Sequence, residues 1–247
     1  MPERPAAAFA RLRLLPDSVV LEGLHALKHA LRFGADIRVA VSDRLPSLLA
    51  LAEEMAPDLT DQLAQLVQPV SAADFAALTG RPLPSPVLSL AVRRPADPSR
   101  IALPSTEPVI LLEQPRHAGN AGAVVRVAAA AGARAVLLTG ELDPWSPAVL
   151  RAAAGLQFAV DVAVVGDVPA SSRALIALDP GGELLDPAVL SGGPILIFGG
   201  ERHGVSRPLL ERADRVLRLP MRERVSSLNL ATSVAAVLYA WRLATRR

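Results

Sequence analysis

The chain has 247 residues, 51% of them hydrophobic but only 3% aromatic, so its core must be built from Ala, Val and Leu. It contains no cysteine, which excludes disulfides, thiolate metal sites and a cysteine nucleophile. With a net charge of only +2, any affinity for nucleic acid has to come from local clusters of arginine, Lys28 being the sole lysine.

In chain order, MPERPAAAFARLRLLP lacks a charge-then-apolar-core pattern, so no signal peptide is expected. Ser18 is expected to open a helix carrying Val20, Leu21, Leu24, Leu27, Ala30 and Leu31, spaced by three and four and stopped by Gly34. His25 and His29 share a face of this helix without a third ligand, which favours a solvent- or RNA-facing role over a metal site. A strand over 36–41, helices over 46–56 and 58–67, a short strand at Val70, a Ser71-capped helix ending at Gly80 and a strand over 87–92 follow. The alternation predicts a small layered α/β unit with a parallel or mixed sheet.

Residues 93–107 are proline-rich and polar without periodicity and read as a linker. The expected organisation is an N-terminal domain over 1–94, a linker over 95–107 and a second domain over 108–247. In that second domain strands are expected over 109–112, 135–138, 160–164, 174–178, 195–198 and 215–219. Helices are expected over 121–131, 147–154, 169–173, 186–190, 208–213 and 227–243. This is an open parallel α/β sheet, whose ligand sites lie beyond the carboxyl ends of the strands. The most apolar windows, 122–138 and 228–241, are interrupted by Arg126, Gly132 and Arg134 and by Asn229, Thr232 and Ser233. Neither offers the roughly 20 apolar residues of a membrane span. A cytoplasmic protein without a membrane partner is expected.

Three loops stand out at that edge: HAGNAGAVVR, the G-G-E-x-x-G turn at Gly199–Gly204, and the polar stretch after Pro220, with Ser226 or Ser227 capping the last helix. The adjacent Gly199 and Gly200 let the chain turn sharply and let a ligand approach the peptide planes. A phosphate cradle is disfavoured, because neither G-x-G-x-x-G nor G-x-x-x-x-G-K-[ST] occurs. On spacing alone the loops are either the walls of a small-molecule site or merely tight turns. Arg202, Arg207, Arg212, Arg215, Arg218, Arg222 and Arg224 crowd the last two loops. They are either a phosphate-binding cluster or a solvated face paired with Glu211, Asp214 and Glu223.

Taken together, N-A-G-A-V-V-R (120–126), G-G-E-R-H-G-V-S (199–206) and L-P-M-R-E-R-V-S-S-L-N-L (219–230) resemble the three motifs of the SpoU/TrmH family. That family comprises S-adenosylmethionine-dependent RNA ribose 2′-O-methyltransferases of the SPOUT superfamily. D-P-W-S-P-A-V-L-R-A-A-A-G (143–155) fits as well, and LEGLHALKHAL resembles the ribosomal-protein-like RNA-binding domain that many members carry.

The resemblance implies a deep trefoil knot in the C-terminal domain and a homodimer whose active site is completed near the subunit interface. It implies S-adenosylmethionine held by Gly199, Gly200, Leu219, Met221, Ser227 and Leu228, and a polar catalytic set of Asn120, Arg126, Glu201, Ser227 and Asn229. The implied substrate is structured RNA, ribosomal or transfer, and not DNA. Leu228, Ala231, Val234, Ala235, Leu238 and Trp241 form a stripe on the last helix that suits either a twin helix or the chain's own core. Glu223 stands where the family usually has glycine, which would set a negative charge beside the cofactor slot. The rival reading is a noncatalytic RNA-binding or ribosome-assembly protein that keeps the fold. An NAD-linked enzyme lacks its fingerprint.

Overall fold

The computed structural model describes residues 3–94, 96–101 and 103–245. The first elements are α1 (Pro5–Leu12), β1 (Ser18–Glu22), α2 (Leu24–Arg32), β2 (Ile37–Ser42), α3 (Leu45–Met55), α4 (Thr60–Leu66), β3 (Val67–Pro69), α5 (Ala72–Thr79) and β4 (Leu88–Val92). Then come α6 (Pro98–Ile101), β5 (Val109–Leu112), α7 (Ala118–Ala131), β6 (Ala135–Leu138), α8 (Pro147–Ala153) and β7 (Asp161–Val164). The chain ends with β8 (Leu175–Leu184), β9 (Ile195–Phe198), α9 (Arg207–Arg212), β10 (Arg215–Arg218) and α10 (Leu230–Thr245). Two compact units result. The described residues up to Arg94 with Trp145–Ala159 make the first, and those of 96–144 with 160–245 the second.

The first unit is built on a mixed sheet of order β1-β4-β2-β3, in which β4 is antiparallel to β1 and β2 while β3 is parallel to β2. Phe9 of α1 and Phe75 of α5 pack on Val39, Val41, Leu88 and Leu90. Leu24, Leu27, Leu48, Ala52 and Leu63 pack with Ala40 in a second cluster. Ser71 caps α5 by accepting the Asp74 N–H, and Gly80 ends it in the left-handed conformation, both as the residue types predict.

Residues 18–22 are a strand, not the first turn of a helix. Gly23 has φ +84, which no helix accommodates, and a Cβ there would meet Ser85 Oγ at 2.9 Å. With the helix broken, Val19 and Val20 are free to pair against Ala91 and Leu90, where β-branched side chains fit the pleat. The helix expected over 169–173 is absent, and that over 186–190 is a 3₁₀ turn, Pro187–Leu190. Arg173 is instead drawn to the carbonyls of Leu103 and Glu107, and Asp186 accepts the Ala188 N–H at 2.9 Å in a local turn.

Residues 145–159 follow β6 in the chain but pack with the first unit. Trp145, Leu150 and Phe158 are buried beside Val19, Leu21, Ala26, Ala30 and Ala91, and the Trp145 and Phe158 rings meet edge to face at 5.2 Å. His29 reaches the Ala154 carbonyl through Nδ1 at 2.8 Å, so it serves packing inside this unit. The expected linker is likewise anchored. Ile101 is buried in the second unit's core, and Arg173 donates to the carbonyls of Leu103 and Glu107, each at 2.9 Å. Pro95 and Ala102 of that stretch lie outside the described residues.

The second unit is an open sheet of order β10-β8-β9-β5-β6-β7 with every pair parallel. Its central strands β5, β6 and β9 are buried throughout, as their unbroken apolar runs require. From β5 the chain moves outward through β6 and β7, then returns to build β8, β9 and β10 on the other side. The order therefore reverses between β5 and β9, the place where α/β sheets open a crevice beyond the strand ends. β8 runs past the expected end at 178. Gly182 lets it cross β10 closely, since a Cβ there would lie 2.5 Å from the Val216 carbonyl oxygen.

Helix α10 packs on α7, with Val234, Leu238 and Trp241 at most 5% exposed, so that part of the expected stripe is intramolecular core. At the other end of the contact Gly132 closes α7 with φ +76, and Arg242 Nη1 donates to the Ala131 carbonyl at 2.8 Å. Gly132→Ala is expected to lower the unfolding free energy by about 1–2 kcal/mol, the cost of a left-handed L-residue. The loss should persist in an Arg242→Ala background, because it resides in the backbone; urea denaturation of the four chains measures it.

Candidate active site

Helix α7 begins just after β5, so its first turn stands at the carboxyl edge of the sheet beside the loop that follows β9. A Cβ at Gly199 would overlap the backbone of Gly204 and Val205, and one at Gly200 would sit 3.2 Å from the carbonyl oxygens of Glu113 and Gln114. The first glycine is thus required by the chain crossing itself, not by a ligand. Gly204 has φ +66 and its N–H bonds the Gly200 carbonyl, closing the turn that carries Glu201 at its tip. Glu113 secures the far side by accepting the Ser206 N–H at 2.8 Å.

Three side chains from three separate loops then join in one line. Asn229 Oδ1 accepts the Ala231 and Thr232 N–H groups at 2.9 and 3.4 Å, so Asn229 caps α10, not Ser226 or Ser227. Its Nδ2 donates to Asn120 Oδ1 at 3.0 Å, and Asn120 Nδ2 donates to Glu201 Oε1 at 2.9 Å. Glu201 Oε2 accepts the Arg116 N–H at 3.3 Å. The sense of both amides is fixed from the two ends, because a carboxylate only accepts and a helix N-terminus only donates. Burial would raise the Glu201 pKa, but hydrogen bonds from Asn120 and from the backbone of Glu201, Arg116 and His117 outweigh it. The group is held below its ordinary 4.5.

A cavity of about 760 Å³ opens beside this line. Gly199, Gly200, Glu201, Leu219, Met221, Ser227, Leu228, Asn120 and Asn229 all line it, so the expected cofactor set and most of the polar set are brought together. Arg126 is not among the lining residues. It lies six residues beyond Asn120 on α7, about 9 Å along the axis and at a different azimuth, exposed and without an ion-pair partner among the described residues.

Glu223 is exposed and also outside the lining, so its charge does not face the cavity. The left-handed residue of that loop is its neighbour Arg224, with φ +69. Of the arginine cluster, Arg207, Arg212 and Arg215 pair with Glu211, Asp167 and Glu183. Arg202, Arg218, Arg222 and Arg224 have no such pairing among the described residues, and the first two line the cavity. Asp214 accepts the Leu175 N–H instead of pairing with an arginine. Sequence reading missed His117, Leu178, Asp179, His203 and Ser233 as lining residues. Asp179 had a signal, since it follows an apolar strand and precedes Pro-Gly-Gly; His117 and His203 stand within the singled-out loops, and Leu178 and Ser233 had none.

Residues 107–239 match the model of the SpoU rRNA Methylase family. The chain belongs to that family. A tRNA/rRNA methyltransferase of Synechocystis, itself uncharacterised, is 30% identical over 90% of this chain and 82% of its own length. A 23S rRNA (guanosine-2′-O)-methyltransferase of Bacillus subtilis is 32% identical over 56% of this chain and 58% of its own. Among solved structures, the AdoMet-bound rRNA methyltransferase of Sinorhizobium meliloti superposes with a TM-score of 0.75 at 26% identity, covering 98% of this chain and 94% of that one.

Asn120→Ala removes hydrogen bonds to Glu201 and Asn229, both exposed and able to turn to water, and is expected to cost about 0.5–1.5 kcal/mol at neutral pH. The Glu201 pKa is depressed on folding, so its contribution is complete above 4.5 and fades as pH falls through the lowered value. Urea midpoints of the two chains should therefore draw together below pH 4.5, and a constant gap would show that the carboxylate does not drive the line.

Proposed function

We infer that the chain is an S-adenosylmethionine-dependent RNA ribose 2′-O-methyltransferase acting on structured RNA, with ribosomal RNA the substrate class. The observation that carries this is the convergence of Asn120, Glu201 and Asn229 on one cavity lined by the two later motifs. The cavity suits the cofactor chemically. Leu219, Met221 and Leu228 offer an apolar slot for an adenine, and the loop peptides around Gly199 and Gly200 offer polar edges for reading it. Ser227 stands at the same wall.

S-adenosylmethionine supplies a methyl group already activated on a sulfonium. What remains for the protein is to align a ribose hydroxyl and to ease the loss of its proton. Arg126 does not serve as a base, because a guanidinium stays protonated throughout the accessible pH range. Its place outside the cavity, exposed and without an ion-pair partner among the described residues, suits a fork onto the phosphate beside the target ribose, where it stabilises the developing oxyanion. That phosphate, or water on it, takes the proton. Glu201 is already engaged in holding Asn120, so it positions the loops and does not act as base. Ser227 fixes the hydroxyl, and Asn229 fixes the third loop to the head of α10.

Arg222 and Arg224, which pair with no carboxylate among the described residues, extend the cationic surface for RNA, which is read by phosphates and shape as much as by bases. The first unit is the RNA-binding domain, on its likeness in sequence to ribosomal-protein-like modules. Membership of the family supports a trefoil knot in the second unit and a homodimer with the site near the interface. Tyr239 and Leu243, 45% and 72% exposed on α10, support an intersubunit contact. No helix among the described residues is long and apolar enough to cross a membrane. With ribosomal RNA as substrate, the reaction belongs in the cytoplasm.

Arg126→Ala is expected to abolish methyl transfer to RNA while leaving S-adenosylmethionine affinity unchanged; lost cofactor binding would contradict the division of roles. Arg222→Ala and Arg224→Ala should each reduce the slope of log affinity for RNA against log salt by about 0.7–1. Mapping 2′-O-methyl positions in RNA from cells with and without the gene identifies the nucleotide. Intact RNA binding with no S-adenosylmethionine binding would instead favour a noncatalytic RNA-binding protein.

A further inference from the structure

The cavity carries one carboxylate that the amide line does not use. Glu201 and Asp179 are the acidic residues among its described lining. Both oxygens of Glu201 are engaged, one by Asn120 and one by the Arg116 N–H. Asp179 is different. It is half-buried and directly follows Leu178, whose partner across the sheet is Phe198, the residue before Gly199. Its Oδ1 accepts the Gly181 N–H at 2.8 Å, which locks the side chain in a local turn. Its Oδ2 has no partner among the described residues, and it faces the glycine turn, where a Cβ on Gly204 would lie 3.7 Å away.

We propose that Asp179 recognises the ribose of the bound cofactor, Oδ2 accepting a hydrogen bond from a ribose hydroxyl. This rests on the cofactor reading above. An acidic residue beyond a parallel strand at the edge of the sheet is a recurrent solution for holding a sugar hydroxyl, because the hydroxyl must donate and a carboxylate can only accept. Here one oxygen is tied down, so the other is oriented before the ligand arrives and little is lost in ordering it. The neighbouring lining is apolar, with Leu178, Phe198, Leu217 and Leu219 at the strand ends. A base lying in that slot brings its own sugar, rather than the amino-acid end of the ligand, within reach of Asp179.

The test is calorimetric titration of the full chain with S-adenosylhomocysteine and with 5′-methylthioadenosine, which keeps the base and ribose but lacks the amino-acid group. Asp179→Ala removes the acceptor altogether, whereas the amide of Asp179→Asn could still donate to the oxygen of a ribose hydroxyl. The Kd of the alanine variant should rise about tenfold or more for both compounds. Equal affinity of variant and wild type for both would overturn the proposal. So would a loss confined to S-adenosylhomocysteine, which would place Asp179 on the ammonium. If the variant fails to fold, the wild-type chain decides: 2′-deoxy and 3′-deoxy forms of methylthioadenosine must bind more weakly than the parent in at least one case, and parity of all three overturns the assignment. A wild-type chain that binds neither parent compound refutes the cofactor reading itself, and this proposal with it.

Discussion

Hydrogen-bond polarity is the constraint on which the site depends. At one end of the Asn229–Asn120–Glu201 line stand helix N–H groups that can only donate, at the other a carboxylate that can only accept. An amide between them has one orientation that satisfies both neighbours, and two amides in series transmit it. Three loops separated by about 80 and 30 positions in the chain are thereby held in one register, on top of the apolar packing of α10 against α7. Asn229 has a double task. Its oxygen caps α10 and its nitrogen reaches α7, so the start of the last helix and the start of the helix after β5 are tied together.

The sheet supplies the setting for this line. Because every pair in the second unit is parallel, all strand ends that carry loops of one kind lie on one edge. The reversal of order between β5 and β9 opens that edge where Glu113, Gln114, Gly199 and Gly200 meet. Glycine then acts twice in different ways. At Gly199 the missing Cβ admits the backbone of Gly204 and Val205, while at Gly204 the left-handed conformation lets the turn close. Arg126 stands apart from this assembly on the same helix as Asn120, exposed and without an ion-pair partner among the described residues.

Much of this was legible in the residues. The buried strands over 109–112, 135–138 and 195–198 begin and end where their apolar runs do, because a strand covered on both faces tolerates no polar interruption. Ser71, Gly80 and Gly132 mark helix ends as their types predict. Legibility failed where a contact distant in sequence outweighed a local pattern. The apolar spacing from Val20 to Leu31 reads as one helix, yet Gly23 breaks it and pairing with β4 claims 18–22. The stretch 145–159 reads as part of the second domain, yet Trp145 and Phe158 find their cover in the first unit. Serines before α10 read as its cap, yet Asn229 takes the role because its second polar atom also has a partner on α7.

By itself the sequence determined the alternation of strand and helix, the three motif loops and the residue types in them, since these depend on local conformation and on which side chains are present. Only the tertiary structure decided which loops touch, which oxygen of Asp179 is left free, and that Arg126 and Glu223 stand outside the cavity. Those outcomes depend on strand order and helix azimuth. Both are set by contacts between residues far apart in the chain, and spacing along the chain does not encode them.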